Sequence, residues 1–206
     1  MMQRLAPRRA IESRTTTVGL VIRDYVVLAA DRRATAGYYV AHKHTRKIIK
    51  ITDYIAMTTS GLVADAQALA DMLREELRYY EVTVGKKPSV EAAANILAAI
   101  IYSARLYPYI VQLLLGGYDT APRLYMIDWF GTVTAERYTA TGSGSPVALG
   151  VIEAEYREDL TLREAIDLAV RAVRSAMERD TATGNGIDVV AIGKGKFITE
   201  EYPPRG

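Results

Sequence analysis

Thr15-Thr16-Thr17-Val18-Gly19-Leu20-Val21-Ile22-Arg23 is the stretch that decides how the rest of the chain is read. As a strand it points Val18, Leu20 and Ile22 to one face and Thr15, Thr17 and Gly19 to the other, which would open Thr15 onto a cleft. A threonine hydroxyl is a weak nucleophile unless a base sits beside it. One chemical solution is to make the threonine the first residue, so that its own α-amine takes the proton. The residues before it then form a leader that has to be removed. Taken alone, the segment fits equally well a run of strand-forming threonines at the start of an ordinary strand, so the choice rests on the residues beyond it.

Outward from this strand the chain alternates between blocks of strands and blocks of helices. Arg23-Asp24-Tyr25 makes a tight connection, and Val26-Val27-Leu28-Ala29-Ala30 returns as a buried strand ending at Asp31. The antiparallel return carries that carboxylate back to the start of the first strand. Lys47 to Ile51 and Tyr54 to Thr59 read as a hairpin turning at Thr52-Asp53. At Ser60-Gly61 the period changes: Leu62, Ala66, Leu69, Leu73, Leu77 and Tyr80 mark a long helix that Gly85 and Pro88 end, and a second helix runs from Ser89 to Leu106. Strands are expected over 111–117 and 123–127, and a further one from Thr132 to Tyr138. Pro146 suits the first turn of a third helix, and Thr161-Leu162-Arg163-Glu164 is a capping box opening a fourth, with Ala165, Leu168, Ala169, Ala172, Val173 and Ala176 facing inward. A hairpin from Ile187 to Thr199 closes the order. Strands, two helices, strands, two helices and strands imply an α+β sandwich of two stacked antiparallel sheets with helices outside each, rather than a βαβ fold.

Half of the 206 residues are apolar and 24% are charged, the profile of a folded globular chain. The expected organisation is a leader, residues 1–14, and one domain, residues 15–206. The formal net charge is +2, but the basic excess lies in the leader, where Arg4, Arg8, Arg9 and Arg14 face only Glu12. Nucleic-acid binding is therefore not expected. There is no cysteine, which excludes disulfides, thiolate metal sites and cysteine nucleophiles. The leader lacks the apolar stretch of a secretion signal and no membrane span is expected, so the cytoplasm is the expected location. His42 and His44 stand two apart on an expected strand without a third ligand or a HExxH pattern, and read as surface residues rather than a metal site.

Several blocks in order resemble the β-type subunit of the proteasome, of archaeal rather than eukaryotic type, in the N-terminal nucleophile hydrolase superfamily. They are Thr15-Thr16-Thr17-Val18-Gly19, Ala30-Asp31-Arg32-Arg33, Lys47, Ser60-Gly61-Leu62-Val63-Ala64-Asp65, Gly116-Gly117-Tyr118-Asp119, Gly142-Ser143-Gly144-Ser145-Pro146 and Arg179-Asp180-Thr181-Ala182-Thr183-Gly184. The resemblance spans Thr15 to about Thr199 and implies a four-layer αββα sandwich. It implies that Thr15 is the nucleophile and its freed α-amine the base, that Lys47 lowers the proton affinity of both, and that Asp31 orients Lys47. By the same resemblance the Gly61 N–H stabilises the oxyanion, and Ser143, Asp180 and Thr183 hold the amine and its water, Thr183 replacing the serine more usual there. Ala34, Thr45, Ile49, Thr59 and Val63 would line the pocket for the side chain before the cut, favouring an apolar or aromatic residue, while Thr35 would pair its backbone with the substrate. No metal or organic cofactor is implied. The implied partners are other β-type and α-type subunits in stacked heptameric rings, a regulatory ATPase and unfolded polypeptides. Without the resemblance, Lys47 reads as a solvated edge lysine, Asp31 and Asp180 as turn and helix-end residues, and Gly142 and Gly144 as turn glycines.

A second position departs from the family. Members that mature themselves usually carry glycine before the threonine, where the hydroxyl must attack the preceding carbonyl in a tight turn, and here that residue is Arg14. This leaves two readings: an active threonine protease cut between Arg14 and Thr15, by itself or by a neighbouring subunit, and a silent structural subunit supporting an active paralogue. An α-type subunit fits less well, because no amphipathic helix precedes the first strand, and the bacterial two-component relative lacks the likeness of the Gly-Ser and Asp-Thr-Ala-Thr-Gly blocks.

Overall fold

The computed structural model describes residues 14–204; residues 1–13 of the expected leader lie outside that range. Strand β1 (Thr17–Ile22) turns through Arg23-Asp24 into β2 (Tyr25–Asp31), as the sequence predicts. A small hairpin, β3 (Ala34–Ala36) and β4 (Tyr39–His42), is followed by β5 (Ile48–Lys50) and β6 (Ile55–Gly61). Helices α1 (Val63–Val84) and α2 (Val90–Ser103) come next, then β7 (Val111–Tyr118), β8 (Pro122–Ile127), β9 (Val133–Ala135) and β10 (Tyr138–Thr141). Helices α3 (Ser145–Glu155) and α4 (Leu162–Met177) precede the closing hairpin of β11 (Ile187–Gly193) and β12 (Lys196–Tyr202).

Ten of the strands form two antiparallel sheets, ordered β10-β1-β2-β11-β12 and β5-β6-β7-β8-β9. The period-2 pattern of the strands sorts their side chains into three apolar layers. Val18, Leu20, Ile22, Val27 and Ala29 face α3 and α4, where they meet Leu168, Ala169 and Val173. Met57, Leu113, Leu115 and Ile127 of the second sheet face α1 and α2. Between the sheets, Val26 and Leu28 pack against Leu114, Leu124 and Val190. Helices, sheet, sheet, helices is the four-layer arrangement expected from the order of elements.

Local chemistry explains the helix ends. Gly85 takes the left-handed conformation that stops α1, and Ser89 caps α2 by accepting from the Ala92 N–H. The capping box at Thr161 is formed in both directions, and the inward alanine, leucine and valine stripe of α4 is buried throughout.

The structure departs from the sequence reading in four places. The expected strand from Thr132 to Tyr138 is two strands in different sheets. Glu136 donates its N–H to the Leu124 carbonyl of the second sheet, and the next residue, Arg137, accepts from the Val21 N–H of the first, so the chain crosses between sheets there. Helix α2 stops at Ser103 rather than Leu106, where Ala104 and Arg105 turn back onto the Ile101 and Tyr102 carbonyls. The β3–β4 hairpin is foreseen only as a strand around His42 and His44, because its residues are largely exposed and carry no apolar alternation. His42 ends β4 while His44 lies outside any strand; both are exposed. Among the described residues no cluster of histidine, aspartate and glutamate has the makings of a metal site, and no helix is long and apolar enough to cross a membrane.

Leu114, fully buried between the sheets, tests the layer assignment. Leu114→Ala should cost about 2–5 kcal/mol, read as a fall in the urea midpoint at unchanged slope. A cost well under about 1 kcal/mol would mean that the two sheets do not close on one another there.

Candidate active site

The register of the first sheet sets the site. Because β1 and β2 pair with Thr17 opposite Ala30, the next residues out, Thr16 and Asp31, meet at the sheet end, where the Asp31 N–H donates to the Thr16 carbonyl at 3.2 Å. Lys47 arrives from the other sheet. It immediately precedes β5 and is fixed by the Thr59 N–H, which donates to its carbonyl at 2.8 Å. The two sheets therefore present a threonine, a carboxylate and an amine to one point.

At that point the Lys47 ammonium donates to both the Thr15 hydroxyl and Asp31 Oδ1, the latter at 2.7 Å, and the Thr15 hydroxyl also donates to Asp31 Oδ1. The carboxylate is held further by the Thr16 N–H on Oδ1 and by the Arg33 and Gly184 N–H groups on Oδ2, each at 3.0 Å. Thr15 and Asp31 are wholly inaccessible to solvent and Lys47 is 1% exposed. That removes the reading of Lys47 as a solvated edge lysine. Burial lowers the Lys47 proton affinity below the ordinary lysine value of 10.5. The Asp31 carboxylate opposes that push most strongly, and the Arg33 charge adds a smaller one in the same direction as burial.

A second set of side chains secures the backbone around Thr15. Ser143 and Thr183 each donate to Asp180 Oδ2 at 2.6 Å, and the Thr183 and Thr16 hydroxyls share a hydrogen bond of 2.7 Å. Gly144 donates its N–H to the Thr15 carbonyl at 3.3 Å. The adjoining Gly142 has φ +92°, and a Cβ there would collide with that same carbonyl, so only glycine lets the loop approach. Ser143, Asp180 and Thr183 thus reach Thr15 through its neighbours Thr16 and Gly144. One residue further along the chain, the Thr17 hydroxyl bonds those of Thr58 at 3.1 Å and Thr141 at 2.7 Å, tying β1 to β6 of the other sheet and to β10 of its own.

Gly61 ends β6 with φ +112°, where a Cβ would collide with the Ile110 carbonyl oxygen. It lines a cleft with Arg14, Ser60, Gln112, Trp129 and Ser143. Of the residues expected around the substrate, Ile49, Thr59 and Val63 share a second depression. Ala34 and Thr35 lie instead on β3, and Thr45 donates its N–H to the Arg32 carbonyl at 2.9 Å. The depression is also lined by Arg46, Gln67, Asp71 and Arg74, which the sequence reading does not include. Val63, Gln67, Asp71 and Arg74 recur at spacings of four, four and three along α1, so the helical period from Val63 would have found them. Their charges ring a pocket that the sequence reading treats as uncharged. Thr16, Trp129 and the Arg33 side chain also escape it.

Two sheets meeting between helical layers, with a threonine, lysine and aspartate gathered at one end, define the architecture of the N-terminal nucleophile hydrolases. Within that class the chain belongs to the proteasome family: the family model described as proteasome subunit matches residues 11–192. It is 67% identical over 180 residues to proteasome subunit beta 2 of Hyperthermus butylicus, covering 87% of this chain and 85% of that one. Identity to proteasome subunit beta 2 of Aeropyrum pernix is 58% over 185 residues, 90% of this chain and 84% of the relative. For the protein of that name from Ignicoccus hospitalis it is 59% over 188 residues, 91% and 89%. These relatives place the chain among the β subunits of the 20S core, which assemble in rings with other proteasome subunits.

The state of Lys47 can be titrated. Its ammonium should lose its proton below 10.5, and Asp31→Asn should lower the midpoint further, because the carboxylate is the strongest influence opposing burial. Between the folded midpoint and 10.5 the unfolded chain binds more protons at Lys47, so the Lys47 contribution to stability should rise with pH across that window and be missing in Lys47→Met. Detection of the side-chain nitrogen by NMR reads the midpoint; a value at or above 10.5 would contradict this.

Proposed function

We propose that the chain is a threonine-type endopeptidase subunit that works once residues 1–14 have been removed. The observation that carries this reading is the Lys47 ammonium donating at once to the Thr15 hydroxyl and to Asp31, inside a site closed to solvent. An isolated buried lysine is costly, and a partnered one touching a hydroxyl is arranged for chemistry.

The steps are set by these atoms. While Arg14 is attached, the Thr15 nitrogen is an amide without a basic lone pair. After cleavage it is an α-amine, whose ordinary pKa of about 8 suits a base near neutral pH. The amine takes the Thr15 hydroxyl proton as Oγ1 bonds to the substrate carbonyl carbon. The carbonyl oxygen becomes an oxyanion facing the Gly61 N–H, and Lys47 stabilises the charge on Oγ1. The carbon–nitrogen bond then breaks, the leaving amine takes the proton, and an ester on Thr15 remains. The same amine then takes a proton from water as the water oxygen adds to the ester carbon; the carbon–Oγ1 bond breaks, Oγ1 takes that proton back and the acid product leaves. Ser143, Asp180 and Thr183 hold the amine end of Thr15 in register. Ile49, Thr59 and Val63 receive the side chain before the cut, an apolar or aromatic one, in a depression whose lining also includes Arg46, Asp71 and Arg74. Ala34 and Thr45 complete the proposed contacts to that side chain, and Thr35 pairs its backbone with the extended substrate. The partners are β-type and α-type subunits in stacked heptameric rings, an ATPase that delivers unfolded polypeptide, and the compartment is the cytoplasm.

Arg14 favours a second reading, a structural subunit that keeps its leader. Intact mass and N-terminal sequencing of the subunit from assembled particles separate the two. A chain beginning at Thr15, with peptide hydrolysis reduced by at least about 10³-fold in Thr15→Ala, supports the peptidase. Arg14 retained in every particle supports the structural role.

A further inference from the structure

We infer that Arg33 is a positioning residue for this site: its guanidinium clamps residues 181–185 so that Thr183 and Asp180 hold the backbone of Thr15 in place. The inference rests on the peptidase reading. The main chain of Arg33 already touches the centre, its N–H donating to Asp31 Oδ2. Its side chain runs the other way, donating from Nε to Asn185 Oδ1 at 2.9 Å and from Nη1 to the Thr181 carbonyl at 2.6 Å. Between those two anchors the guanidinium covers Gly184, where a Cβ would collide with Nε, Cζ and Nη2. Gly184 in turn donates its N–H to Asp31 Oδ2.

The segment is therefore gripped at both ends by one planar group and in the middle by the carboxylate that binds Lys47. Thr183, inside the grip, bonds the Thr16 hydroxyl and Asp180, and Asp180 bonds Ser143. Asn185 turns the chain at φ +65°, a left-handed conformation that asparagine tolerates better than most residues, and its amide oxygen is the one Arg33 binds. Both acceptors are neutral oxygens, so the contribution of Arg33 lies in the fork geometry of its donors rather than in a charge pair, and lysine cannot reproduce it. Arg33 touches no part of the pocket that Ile49, Thr59 and Val63 line.

Assembled particles carrying Arg33→Ala, Arg33→Lys or Gly184→Ala test this with a fluorogenic peptide. Arg33→Ala should lower kcat by about 10- to 100-fold, the scale of a small misplacement of reacting groups, with KM nearly unchanged and assembly intact. Arg33→Lys should not recover the loss, whereas free guanidinium ion below denaturing concentration should restore part of kcat in Arg33→Ala and leave Lys47→Met inactive. Gly184→Ala displaces the guanidinium, so it should lower kcat similarly and add little on top of Arg33→Ala. Full kcat in Arg33→Ala, or a loss that follows particle disassembly and resists guanidinium, overturns the clamp. A wild-type particle that begins at Thr15 yet hydrolyses nothing sinks the peptidase reading instead. In that case hydrogen exchange at the Thr183 and Gly184 amides still decides: faster exchange in Arg33→Ala supports the clamp and unchanged protection overturns it.

Discussion

A buried ammonium paired with a buried carboxylate is the constraint on which the rest of this molecule depends. Withdrawing Lys47 and Asp31 from water costs several kcal/mol for each ion, and their attraction repays it only where the remaining lone pairs and protons are also satisfied. The structure meets that demand at Asp31 with five donors: the Thr15 hydroxyl, the Lys47 ammonium and the N–H groups of Thr16, Arg33 and Gly184. Each donor belongs to a segment that must then be held. The loops at 142–144 and 180–185 are shaped by this requirement as much as by their own turn residues.

The pair also links the two halves of the sandwich. Asp31 ends β2 and Thr15 leads into β1 of the sheet covered by α3 and α4, whereas Lys47 leads into β5 of the sheet covered by α1 and α2. Apolar packing at Leu28, Leu114 and Leu124 sets the spacing of the sheets, and the Thr17, Thr58 and Thr141 hydroxyls fix their relative register close to the site. Core packing and chemistry are thereby coupled: the contacts that set the spacing and register of the sheets also set the distance from Lys47 to Thr15.

Much of the fold is legible because it is written in short periods. The alternation in β1, the buried apolar run of β2, the helical stripes of α1 and α4, and the capping box at Thr161 each appear within a few residues of sequence, and each is found in the structure. What escapes is decided at long range. Nothing in residues 132–138 announces that the chain leaves one sheet for the other, because the partners at Leu124 and Val21 are remote in sequence. The β3–β4 hairpin is exposed and so lacks a pattern. The site divides in the same way. That Asp31 returns to the start of β1 can be argued from the hairpin alone, but a lysine before a strand carries no sign that it will be buried, and only the resemblance to a family singles out Lys47. Arg33 grips a segment about 150 residues downstream, and no local signal marks it.

The central claim is that the Lys47 and Asp31 pair makes the Thr15 hydroxyl nucleophilic. Trapping it with an electrophilic peptide boronate, followed by mass analysis of the subunit from assembled particles, tests this most directly. The account predicts one adduct, on Thr15, that forms in the wild type and is lost in Lys47→Met particles of intact assembly. An adduct that forms equally well without Lys47, or that maps to another residue, would contradict it.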